Sequence, residues 1–151
     1  MNIISLFEKQ REINKQIIID KNLNQYKLSA RKHLDLHIKL SSLADETKCY
    51  KYWIDDNSEI DKEIIFNKYL DFLSQILVIG LDSSYSDITE IKVLPNDYCL
   101  SDQFLNLYID INDLIISPSK DHYLTLLEDF ISLGITLGYS ENKITDSFIS
   151  R

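Results

Sequence analysis

The chain has 151 residues, enough for one domain with a buried core. Three glycines and two prolines are too few for the tight turns of a sandwich or barrel, so the composition points to few, long elements, most simply helices. A net charge of −8 excludes broad binding along a phosphate backbone, because no basic surplus exists to release counterions.

The two cysteines, Cys49 and Cys99, are far apart and lack metal-ligand spacing; they read as reduced thiols of a cytoplasmic protein. Met1 to Leu6 does not resemble a signal peptide, and no apolar stretch is expected to approach the ~20 residues that span a bilayer. No internal repeat, low-complexity tract or linker is evident, so residues 1–151 are taken as one domain.

In chain order, Ile3, Leu6, Phe7, Ile13, Ile17 and Ile18 recur at mostly helical intervals and predict a first helix within residues 2–19. The Asn-rich segment 21–27 is a connector. Ser29 is the expected N-cap of a second helix running to about Trp53, with Leu34, Ile38, Leu43 and Ala44 as its buried face. Ser58 is the expected cap of a third helix, about 59–80. There Ile65, Tyr69, Phe72, Leu73, Ile76 and Gly80 form a buried stripe, and Leu70, Leu77 and Leu81 suggest burial on a second side.

Residues 81–100 are irregular, with an extended segment at Ile88–Leu94. Ser101 is placed to cap a fourth helix that Pro118 stops. Ser117 and Pro118 suit the N-cap and first position of a fifth helix, which Gly138 ends. Ser140 caps a last helix, about 141–150. The expectation is an all-α bundle of five or six helices.

Candidate chemistry concentrates on the second and third helices. Lys39, Ser42 and Glu46 fall on one face of the second, and Lys68 and Asp71 on one face of the third. His33 and His37 are four apart but have no third ligand near them in sequence, so they read as packed or exposed. No Gly-rich phosphate loop, Ser-His-Asp arrangement or dinucleotide fingerprint is present.

Three segments carry a family resemblance: LADETKCYKYW at 43–53, NKYLDFLSQILVIGLD at 67–82 and YLTLLEDFISLGITLGYSENKI at 123–144. Together with LFEKQREIN near the N-terminus, the chain resembles the dimeric all-α dUTPase family, within the all-α NTP pyrophosphatases. The resemblance implies hydrolysis of dUTP to dUMP and pyrophosphate by Mg²⁺ held on E-x-x-E and E-x-x-D helices. Such hard cations take oxygen ligands and activate the attacking water.

Aligned on this pattern, Lys39 and Ser42 stand at the two glutamates of E-x-x-E, and Lys68 at the glutamate of E-x-x-D. Asp71 is the one metal ligand retained, and Glu46 matches an acidic position one turn further on. The family's Lys-Asn-x-x-Asn phosphate stretch is not found up to Arg151. The resemblance also makes Gln10 and Asn14 candidates for the uracil edge, and Lys51 and Trp53 for the nucleotide.

The expected function is therefore that of a dUTPase-like pseudoenzyme with no cofactor, binding a nucleotide, a phosphate ligand or a protein partner. Lys39 and Lys68 could hold phosphate or neutralise Asp71 and Glu46. The alternative is an active pyrophosphohydrolase using Asp71, Glu46 and displaced ligands such as Asp35 or Asp45. The resemblance further implies a homodimer through the central helices, or pairing with a related subunit. Neither nucleic acid nor membrane is expected as a partner.

Overall fold

The computed structural model describes residues 1–57 and 59–151, which form six helices: α1 (Ile4–Asn14), α2 (Gln25–Thr47), α3 (Lys62–Asp82), α4 (Leu100–Ile116), α5 (Lys120–Thr136) and α6 (Glu141–Ile149). The most apolar sequence becomes the central element. α3 packs against α1, α2 and α5, and its stripe from Ile65 to Gly80 is buried as its periodicity predicts. By length and composition α3 could also cross a membrane, contrary to the expectation that no stretch comes near that length; 61% of its most apolar window is buried within the bundle.

Local chemistry moves several helix ends. α1 stops at Asn14, where Gln16 and Ile17 donate to the carbonyls of Ile13 and Asn14, a tightened last turn; Ile17 and Ile18 remain exposed. α2 begins earlier than expected. Asn24, not Ser29, is its cap, and its side chain accepts from the Lys27 N–H at 2.8 Å. α2 also ends early, because Lys48 turns left-handed (φ 57°), so Tyr50 to Trp53 lie beyond it.

Its core face is Leu36, Leu40 and Leu43, while Leu34 and Ile38 point outward. Both sets have helical spacing, so periodicity alone could not choose between them. The predicted cap Ser58 lies outside the described residues; Asp61 caps α3 by accepting from Glu63 and Ile64 N–H. α4 starts at Leu100, with Ser101 already inside it. Ser119, rather than Ser117, caps α5 through the His122 N–H. Ser140 caps α6 as expected.

No strand forms among the described residues. The extended segment instead ties down the N-terminus. Ile3 N–H donates to the Thr89 carbonyl, and Met1 and Ile91 exchange backbone bonds, around an isolated bridge between Asn2 and Glu90.

The core shows an internal correspondence that the sequence reading missed. Tyr69 of α3 stacks on Phe130, with ring centroids 4.2 Å apart, and donates its hydroxyl to the Phe130 carbonyl of α5. Tyr123 of α5 donates to the Ile76 carbonyl of α3. Each ring lies over a glycine of the opposite helix, Gly134 under Tyr69 and Gly80 under Tyr123. Past the helix ends, Tyr85 donates to the Gly80 carbonyl and Tyr139 to that of Gly134, after left-handed residues at Ser84 and Gly138. The two segments, 69–85 and 123–139, are thus a weak repeat. The side chains between the matching Tyr and Gly positions diverge enough to hide it in the sequence.

Candidate functional site

Three elements converge on one side of the bundle. The C-terminal end of α1 and its connector supply Asn14, Ile17, Ile19, Asp20 and Leu23. α2 supplies Leu28, Arg31, Lys32, Asp35 and Lys39, and α3 supplies Gln75, Val78 and Asp82. They enclose an open cleft of about 670 Å³. Ile17 and Ile19, surplus to the core of α1, form part of its wall.

Ion pairs and amide bonds stiffen the cleft. Lys32 Nζ reaches Asp82 Oδ2 at 2.6 Å, and Lys39 pairs with Asp35 one turn away on α2. Gln75 Nε2 donates to the Lys32 carbonyl at 3.0 Å. These contacts join the first half of α2 to the second half of α3.

The predicted polar residues of α1 have different tasks. Gln10 is fully buried; its Nε2 donates to Asn14 Oδ1 at 2.8 Å and its Oε1 accepts from Ser74 Oγ at 2.6 Å. Its amide is spent on positioning Asn14, which itself lines the cleft. Asp71 does not line the cleft and is engaged by Arg151, whose guanidinium nitrogen lies 2.6 Å from Oδ1. Ser42, Glu46 and Lys68 are half-buried, and neither Glu46 nor Lys68 forms an ion pair among the described residues.

A dUTPase family model matches residues 2–151. The chain belongs to the dUTPase family. No curated protein and no solved structure matches it. The all-helical fold agrees with the all-α branch of dUTPase-like proteins that the motifs resemble.

Of the other residues that the dUTPase resemblance nominates, Lys51 and Trp53 lie in the α2–α3 connector and do not line the cleft. Lys51 Nζ is 2.6 Å from Asp55, and that hydrogen bond, foremost among its causes, lowers the Asp55 pKa. The same ammonium sits 5.9 Å from the Trp53 ring centroid, and Tyr52 and Tyr50 meet the indole edge-on. The nucleotide residues that the resemblance nominates thus fall into two places: Asn14, with the buried Gln10 behind it, at the cleft, and Lys51 and Trp53 in the connector.

Asp45 accepts a hydrogen bond from the Tyr50 hydroxyl at 2.8 Å, which lowers its pKa, with the Lys48 charge acting in the same direction. Sequence reasoning missed Arg31, Lys32, Gln75 and Asp82 as cleft residues, and Arg151 as the partner of Asp71. One signal was readable: Asp35 and Lys39 have the i,i+4 spacing of a helical ion pair. The long-range pairs had none.

Proposed function

We propose that this chain is a dUTPase-like pseudoenzyme that binds a small nucleotide-type ligand in the α1–α2–α3 cleft without metal-dependent hydrolysis. The observation that carries the proposal is the set of cations at and beside the motif positions. Arg151 engages Asp71, and Lys39 pairs with Asp35. A divalent magnesium ion needs several oxygen ligands. Here the four motif positions offer one carboxylate, already opposed by a guanidinium, one hydroxyl and two ammonium groups, a donor set that does not fit the ion.

The ligand side of the reading rests on the amides. Gln75 is buried, its Nε2 is occupied by the Lys32 carbonyl, and its Oε1 has no protein donor among the described residues. No buried side-chain oxygen or nitrogen is left unsatisfied among them, so that oxygen is not sealed from solvent, and Gln75 lines the cleft. With Asn14 it offers polar recognition beside the apolar side chains Ile17, Ile19, Leu23, Leu28 and Val78 of the cleft.

Pyrophosphate release from dUTP with Mg²⁺ tests the loss of hydrolysis. The expected result is no turnover above a buffer blank; robust turnover abolished by Asp71→Ala would overturn it. A gain-of-site experiment is complementary. Lys39→Glu, Ser42→Glu and Lys68→Glu together should create magnesium binding that is visible by calorimetry and absent from the parent. If the triple variant folds but takes no Mg²⁺, the assignment of these positions is wrong.

Association is the second part of the proposal, as a homodimer or a pair with a related subunit. Leu34 and Ile38 of α2 and Leu105, Ile109 and Ile116 of α4 are exposed. They flank the contact in which His37 stacks on Tyr108 and Ser41 meets its hydroxyl at 2.5 Å. An apolar face on two adjoining helices suits burial by another helical protein.

A further inference from the structure

We infer that the cleft selects ligands with a single anionic group and discriminates against a triphosphate, with Arg31 as the counterion; the inference rests on the proposed ligand binding in this cleft. Its charges are balanced. Three cations line it, Arg31, Lys32 and Lys39, against three carboxylates, Asp20, Asp35 and Asp82. Lys32 is committed to Asp82 and Lys39 to Asp35. Arg31 and Asp20 remain, and neither forms an ion pair among the described residues.

The two remaining groups pull in different directions. The Arg31 guanidinium offers paired donors to one phosphate or carboxylate. Asp20, whose Oδ1 accepts the Asn22 N–H at 2.9 Å, opposes further anions. It can accept a hydroxyl or amine of the same ligand. Binding a triphosphate would require the lysines to abandon Asp82 and Asp35 and leave those carboxylates facing the ligand, on a protein already at −8. The walls of Ile17, Ile19, Leu23, Leu28 and Val78 supply the apolar surface for the ligand body. The preferred ligand is a compact molecule with one anionic group, one apolar face and a polar edge that meets Asn14 and Gln75.

Deoxyuridine, dUMP and dUTP share one body and differ in phosphate number, so they separate the two parts of the reading. Calorimetry of the full chain without Mg²⁺ should show dUMP binding roughly tenfold or more tighter than deoxyuridine, the range expected of one charge-assisted contact, and dUTP weaker than dUMP. Arg31→Gln should remove the preference of dUMP over deoxyuridine. Asp20→Asn should raise the affinity for dUMP and narrow the gap to dUTP. Equal affinities for deoxyuridine and dUMP, or dUTP as the tightest ligand, would overturn the charge selection while leaving ligand binding intact. Absence of binding by all three would overturn the cleft reading itself. Circular dichroism of each variant establishes that it is folded.

Discussion

Asp110 illustrates how a single residue can set the pH response of this protein. It is nearly fully buried on α4, and Asn106 bridges it to Asp129 of α5. Burial first, then the hydrogen bond and charge of Asp129 and the charge of Asp113, push its carboxyl up to about 8. The unfolded chain would titrate it near ~3.9. Between those values the folded state holds the extra proton. Stability from this group therefore falls as pH rises from about 4 through 8, by an amount on the order of a few kcal/mol. Asp110→Asn keeps a neutral donor and acceptor there. Thermal melts from pH 5 to 9 should decline for the parent and flatten for the variant, which becomes the more stable at pH 9. Parallel curves would remove Asp110 as the source. The same neutral amide chemistry explains Gln10, an uncharged buried residue that accepts from Ser74 and donates to Asn14.

Among elements, the α3–α5 pair is specified by two reciprocal tyrosine–glycine contacts. A Cβ added at Gly134 would come 2.3 Å from the Tyr69 hydroxyl oxygen, and one at Gly80 would come 2.2 Å from that of Tyr123. Both rings are buried, so neither can swing out to water. Gly134→Ala must displace Tyr69 and break its bond to the Phe130 carbonyl. The expected cost is about 2–3 kcal/mol in urea denaturation, the range of overpacked cores. Tyr69→Phe loses only the hydroxyl and should cost about 1–2 kcal/mol. Equal stability of parent and Gly134→Ala would mean that the helices can part without penalty. Helix ends obey simpler rules. Asn24 caps α2 with its own side chain, and Asn24→Ala should lower stability by about 1 kcal/mol. The Asn-rich connector in front of α2 concealed that cap. Several residues there could accept from a helix N–H, and only the docking of α2 on α3 selected one.

At the scale of the whole molecule, the proposed association has a direct check. Ile38→Lys with Ile109→Lys places two charges on the exposed α2–α4 face. Light scattering should show a dimer for the parent and a monomer for the variant; a parent monomer at high concentration would remove this part of the proposal. The sequence by itself determined the helical class, the buried stripe of α3, the caps that need no partner element, such as Ser140, and the dUTPase motifs. Each is written in local spacing, which the 3.6-residue period converts directly into a face. Lys39, Ser42, Lys68 and Asp71 were likewise legible as the positions that the resemblance nominates. Their surroundings were not. That Arg151 opposes Asp71, that Lys32 crosses to Asp82, that Leu36 rather than Leu34 faces inward, and that Ile17 and Ile19 wall a cleft were decided only by tertiary structure. Residues distant in the chain meet through packing, and local periodicity carries no information about which distant surface will cover a face.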